Sequence, residues 1–229
     1  MIIAEKAVFP LILFLYPLLL VNQGIDITDT TYSLGYYRFM DRMDTMWVLA
    51  TYLANVTGSL LMKLPLGDTL LGMNLYTGML LSVLALICYY AAKRRMKAWI
   101  AFIGEMIALS LCWCPTTILY NYLTYFLFAA GSILLYEALV SEKKRYYISA
   151  GLCLGLNVMV RFPNLTEAAL IVALWFAGWL NKDRIIDIVK KTGLCLGGYA
   201  AGIGSILLII AVKYGMKSFT GMISGLAGV

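Results

Sequence analysis

The amino-acid sequence predicts an all-α, polytopic membrane protein with about seven transmembrane helices, and three observations carry that prediction. Of 229 residues, 62% are hydrophobic and 13% charged, with a mean hydropathy of +0.84. A chain this poor in polar groups cannot cover a soluble globule, so its solvent is lipid. Apolar runs approaching the ~20 residues needed to span a bilayer recur along its length. The basic residues gather in short clusters between alternate runs, which is how membrane topology distributes them.

Taken in order, the runs fall at 7–23, 68–92, 98–114, 117–140, 147–162, 164–180 and 192–212. The first contains "AVFPLILFLYPLLLV" and is not followed by an A-x-A-like cleavage site, so it is expected to stay as a helix and not to be removed as a signal peptide. Pro65-Leu66-Gly67-Asp68 breaks the chain before the second run, which Asp68 is expected to cap. Lys93, Arg94, Arg95 and Lys97 follow the second run, Lys143, Lys144 and Arg145 the fourth, and Lys182, Arg184, Lys190 and Lys191 the sixth. With Lys6, twelve of the eighteen basic residues then lie on one face, which the positive-inside rule makes cytoplasmic. The expected arrangement is a single transmembrane domain over 1–229, with the N-terminus inside and the chain end outside, in a bacterial plasma membrane. The net charge of +6 is thereby explained by topology, and no nucleic-acid partner is implied. There is no histidine, so acid–base chemistry must use carboxylates, lysine or tyrosine. The five cysteines, Cys88, Cys112, Cys114, Cys153 and Cys195, lie in or at the ends of apolar runs and are expected to pack as small residues.

The segment 24–67 becomes a large extracytoplasmic loop. Its start, "NQGIDITDTTYSLGYYRFMDRMD", carries Asp26, Asp29, Asp41 and Asp44, four of the chain's twelve acidic residues. Phe39, Met43, Met46, Trp47, Ala50, Leu53 and Ala54 recur near helical spacing, which predicts an amphipathic helix lying flat in the outer interface with Asp41 and Asp44 on its wet side.

Several residues at the predicted outer face have chemistry to offer. Asp26 and Asp29 stand just beyond the first helix, where partial desolvation tunes a carboxylate toward a working base; the alternative is that either one caps a helix starting near Thr30. Arg161, in "NVMVRFPNLTEAA", suits a phosphate bidentately or snorkels to lipid headgroups. Asn164 is a candidate cap for the following helix, and Glu167 a candidate partner of Arg161. The turn "CPTTILYNYLTYF" offers Thr116, Thr117, Tyr120, Asn121, Tyr122 and Tyr125, either as a sugar-binding cleft or as an aromatic belt. Glu105 and Glu137 are carboxylates inside predicted spans, Glu137 within reach of Lys143 or Arg145. Two sequons, at Asn55 and Asn164, fall on the outer side.

A first helix leading into a long outer loop with early aspartates and interfacial helices, with "PTTILYNYLTYF" and Arg-x-Pro-Asn turns on the same side, resembles the GT-C superfamily of integral membrane glycosyltransferases. Protein O-mannosyltransferases and the aminoarabinose transferases of lipid A are members. The resemblance implies a seven-helix module that takes sugar from a polyprenyl-phosphate carrier for an extracytoplasmic acceptor in the cell envelope, sometimes with a divalent metal. It places the base or organiser on Asp26 or Asp29 and donor phosphate on Arg161, with Asn164, Tyr120 and Asn121 as further substrate contacts. Two departures stand out. The adjacent acidic pair of the mannosyltransferases is here spread as Asp-x-x-Asp, and the chain is shorter than is usual in that superfamily, as an N-terminal module would be. The expected partners are the lipid-linked donor and membrane lipids. The competing expectations are a transporter or lipid flippase, for which Glu105 alone speaks, and a non-catalytic membrane scaffold.

Overall fold

The computed structural model describes residues 3–111, 117 and 119–227. Cys112, Cys114 and Thr116, singled out in the sequence, lie outside the described residues. Every regular element among those described is helical. The α-helices are α1 (Phe9–Leu15), α2 (Asp29–Phe39), α3 (Thr45–Ala50), α4 (Tyr52–Leu61), α5 (Leu70–Ala92), α6 (Ala98–Leu111), α7 (Leu119–Ser141), α8 (Lys144–Val158), α9 (Val172–Asn181), α10 (Ile185–Tyr214) and α11 (Met216–Ala227). A π-helical stretch (Ala4–Val8) precedes α1, and 3₁₀ stretches follow it (Tyr16–Leu20) and precede α9 (Phe162–Ile171). Four helical segments are long and apolar enough to cross a membrane: α5, α7, Phe162–Asn181 and α10. This is consistent with a membrane protein, as is the exposure of residues such as Leu111, Val212 and Leu208.

Several boundaries differ from the expectation. Helix α10 begins at Ile185, so Lys190 and Lys191 lie inside it and not in a connecting loop. The N-cap of α5 is Thr69, whose hydroxyl accepts from Gly72 N–H at 3.1 Å; Asp68 does not fill that place. The flat helix expected through 39–54 is broken instead. Asp44 caps α3 by accepting from Met46 N–H at 2.8 Å, and a second short helix starts at Tyr52. Ala50 and Ala54 are buried while Phe39 and Trp47 are exposed, so the apolar residues of the predicted face divide between protein and surroundings. Both sequon asparagines are buried, Asn55 2% and Asn164 8% exposed, and neither is presented for glycosylation in the folded chain.

The chain forms two compact units, Met1–Met40 with Asn55–Tyr122, and Asp41–Ala54 with Leu123–Val229. In the first, α5 holds the opening helical run through polar fasteners. Pro17 has no N–H to give to Phe14 O in the 3₁₀ stretch, and Ser82 Oγ donates to that carbonyl at 2.6 Å instead. Asn74 Nδ2 donates to Val21 O at 2.9 Å where the run ends, and Tyr89 OH to Glu5 O at 2.9 Å where it begins. Between these bonds Leu13, Leu81, Ala85 and Ala101 form the core, with the Phe9 and Phe102 rings stacked at 4.4 Å.

The second unit is built on α8 against α10, and glycine sets their distance. A Cβ added at Gly151 would lie 1.9 Å from Cys195 O, and one at Gly155 2.1 Å from Tyr199 O. From the other side, Gly198 and Gly202 meet Ile148 O and Leu152 O at 2.1 and 2.7 Å. Both helices therefore carry the Gly-x-x-x-Gly spacing that lets backbones touch. Where the surroundings are apolar, side chains gain little by preferring each other, and close backbone contact of this kind holds helices together.

Candidate functional site

In the first unit, Asp26 precedes α2, Asp29 opens it, and the start of α7 meets it. The hydroxyl of Tyr120 donates to Asp29 Oδ2 at 3.0 Å, joining two of the residues singled out in the sequence across 91 positions. Asp29 is half-buried and Asp26 exposed. Their jobs differ. Asp26 Oδ1 accepts from Thr28 N–H at 2.8 Å and from Asp29 N–H at 3.4 Å, the turn-forming work of a carboxylate at a helix start. Thr28, formally at the N-cap, makes no side-chain cap bond. Of the two readings open for this pair, capping thus describes Asp26, and Asp29 keeps an oxygen beside Tyr120 for other partners.

Beneath the carboxylates lies a layer of hydroxyls. Thr30 and Ser33 are buried, and Thr30 Oγ1 accepts from Asp26 N–H at 3.2 Å and stands 3.5 Å from Thr117 Oγ1. Tyr37, 2% exposed, donates to Thr117 O at 3.1 Å and accepts from Leu119 N–H at 3.0 Å. That pair of bonds fixes the first turn of α7, which positions Tyr120. Burial raises the Tyr37 pKa far above its usual value, so it serves as a neutral donor and acceptor at any working pH. Its ring fits because residue 58 is glycine; a Cβ there would lie 2.3 Å from the ring. Asn121 is half-buried next to Tyr120 on α7.

Arg161 and Asn164 belong to the second unit. Arg161 is exposed, on extended backbone where α8 gives way to the 3₁₀ stretch. Asn164 does not cap that stretch. It is buried and donates from Nδ2 to Thr124 Oγ1 at 2.7 Å and to Asn157 O at 3.0 Å. Glu167 accepts from Asn157 Nδ2 at 2.9 and 2.8 Å, and the same amide reaches Thr124 O at 3.1 Å. The sequence reading passed over Asn157, although an amide at the end of an otherwise apolar helix was a signal for such a polar knot. Glu105 sits half-buried on α6, and among the described residues no hydrogen bond or ion pair reaches its carboxylate.

The divalent metal that the resemblance allows does not fit the residues present. Among the described residues no three His, Cys, Asp or Glu side chains gather as ligands. Comparison with protein-family models, with characterised proteins and with solved structures gives no match for this chain.

Proposed function

We propose that this protein is a membrane glycosyltransferase of GT-C type, moving a sugar from a polyprenyl-phosphate donor to an extracytoplasmic acceptor hydroxyl with inversion. The finer topology proposed with it is seven crossings, the N-terminus cytoplasmic, residues 24–67 outside, and a bacterial plasma membrane as the setting. One observation carries the reading: the half-buried Asp29 carboxylate held by Tyr120 OH at 3.0 Å. A general base needs a carboxylate fixed in direction with a lone pair to spare, and Tyr120 fixes Asp29 Oδ2 while Oδ1 is left to accept a hydroxyl proton. Asp26 is the positioning residue that shapes the turn in front of it. Arg161 is assigned the donor phosphate from the resemblance alone, with Asn121 as a further substrate contact on the same ground; Asn164, buried with its amide donating within the protein, is not assigned one.

The test is turnover of radiolabelled polyprenyl-phosphate sugar in membranes carrying Asp29→Asn, Asp26→Asn or Tyr120→Phe. Asp29→Asn should abolish transfer at unchanged expression, a loss of ~10²–10⁴-fold for a general base. Asp26→Asn, which keeps an amide oxygen for the turn, should retain most of it. Equal transfer by wild type and Asp29→Asn would refute the assignment.

A second reading, a transporter or flippase, is favoured by Glu167, a carboxylate within a candidate span that meets Asn157 where the helix is broken. Glu167→Gln should then abolish substrate movement in proteoliposomes. A non-catalytic scaffold predicts that neither carboxylate substitution changes any turnover.

A further inference from the structure

We propose that the second unit binds an anionic phospholipid, its phosphate in a polar pocket at the basic end of α10 and its acyl chain along an adjoining aromatic pocket. The polar pocket has a volume of about 280 Å³ and is lined by Glu142, Lys144, Tyr147, Asp183, Lys190 and Lys191, among others. The second, about 590 Å³, is lined by Trp175, Trp179, Leu180 and Ile185. Asp183 lines both, so the two lie on either side of one residue.

One buried hydroxyl in the polar pocket lacks an acceptor. Tyr147 is 1% exposed, and among the described residues its hydroxyl has no hydrogen-bond partner. Each carboxylate on the lining has an oxygen held by a cation, and none accepts from Tyr147. Lys191 Nζ donates to Glu142 Oε1 at 2.9 Å and to Asp183 Oδ2 at 2.8 Å, and Arg184 Nε donates to Asp187 at 2.8 Å. A buried O–H that no lining carboxylate accepts calls for an oxygen from outside. The surrounding charge says what kind. Residues 142–145 and 182–191 hold seven cations, Lys143, Lys144, Arg145, Lys182, Arg184, Lys190 and Lys191, against Glu142, Asp183 and Asp187. The lining itself balances Lys144, Lys190 and Lys191 against Glu142, Asp183 and Asp187, so the excess of four positive charges comes from the flanking Lys143, Arg145, Lys182 and Arg184. It attracts an anion with several acceptor oxygens, and phosphate is the common one. Lys144 and Lys190 are exposed at the lining, able to turn toward it.

The adjoining pocket distinguishes a lipid from free phosphate. Trp175, Trp179 and Ile185 are 45%, 71% and 73% exposed, an apolar surface beginning one residue-width from the charged lining. An aromatic belt alone would explain exposed tryptophans. It would not explain a buried hydroxyl without an acceptor in the next pocket. Basic pockets between spanning helices are where anionic headgroups dock. Two non-glycine residues with left-handed backbone, Glu142 (φ 54°) and Lys182 (φ 57°), hold the turns that frame the site. The site is independent of sugar transfer.

The experiment is thermal unfolding of purified protein in dodecyl maltoside with added dioleoylphosphatidylglycerol, dioleoylphosphatidylcholine or sodium phosphate. Phosphatidylglycerol should raise the wild-type midpoint, and the other two should not. Lys144→Gln with Lys190→Gln should keep the lipid-free midpoint and lose the shift. Tyr147→Phe removes only an unpartnered hydroxyl, so it should fold normally and need about tenfold more phosphatidylglycerol, the cost of one hydrogen bond to a charged oxygen. An equal shift with phosphatidylcholine would mean nonspecific lipid, and one with sodium phosphate a soluble ligand; either overturns the proposal. So does a full shift in the double variant. Should that variant lose its lipid-free midpoint, Tyr147→Phe decides, and an unchanged lipid requirement there is a refutation.

Discussion

Gly155→Ala adds one methyl group where α8 touches α10, and the structure sets its consequence. The new Cβ would sit 2.1 Å from Tyr199 O, against 3.4 Å for the near limit of ordinary contact, a shortfall of about 1.3 Å. The obstacle is backbone, so no side-chain rotation relieves it, and the helices must part. A radial gap of ~0.5–1 Å already forfeits a quarter to a half of each dispersion contact along the seam. Overpacking of this kind costs ~1–3 kcal/mol. For a chain of this length each kcal/mol moves the midpoint by about 2–4 °C, so thermal unfolding in detergent should fall by about 2–12 °C. Gly197→Ala and Gly204→Ala on α10 are the controls, because nothing lies within 4 Å of a Cβ at either. Alanine exceeds glycine in helix propensity by ~0.8–1 kcal/mol, so both controls should match or exceed the wild type. If Gly155→Ala is as stable as the wild type, or if the controls fall with it, the close-contact argument is refuted.

Tyr37→Phe should cost ~1–3 kcal/mol in the same assay, because Leu119 N–H and Thr117 O lose their buried partner. It should also loosen Tyr120, and a stability unchanged from wild type would deny Tyr37 that role. Ser82→Ala strands Phe14 O beside Pro17 and should destabilise by a similar ~1–3 kcal/mol; substituting an exposed residue such as Ser110 gives the comparison. Asp41 has its pKa lowered from 3.8 by the hydrogen bond from Tyr214 and then by that from Lys213. A depressed folded pKa means that its contribution is complete above the unfolded value and is lost as pH falls through the folded one. Acid titration of the unfolding midpoint below about pH 4 should therefore be shallower in Asp41→Asn than in wild type. Identical titrations would show that the pairing is not stabilising.

The α-helical class and its apolar spans were legible because both depend on sums over nearby residues. Composition gives the solvent, and runs of Leu, Ile, Val and Phe give the segments. Helix ends were less so. Thr69 took the cap expected of Asp68, and α10 ran on through Lys190 and Lys191, because a basic cluster at a helix start reads the same as one in a loop. The flat helix through 39–54 failed at Asp44, whose side chain accepts the Met46 N–H two residues on and restarts the helix. At the site, the sequence listed Asp26, Asp29 and Tyr120 but could not rank the aspartates, since both are early, acidic and beside hydroxyls.

By itself, then, the sequence determined an all-helical chain, apolar segments long enough for lipid, and the residue types available for chemistry. Only the tertiary structure decided which of them meet. Asp29 reaches Tyr120 over 91 positions, and Glu167 meets an amide ten residues back across a helix break. Gly151, Gly155, Gly198 and Gly202 face the backbone of the other helix while Gly197 and Gly204 face open space. Local pattern fixes a helix because its hydrogen bonds close within four residues. Which face of it touches what depends on partners far along the chain, and no short window of sequence contains them.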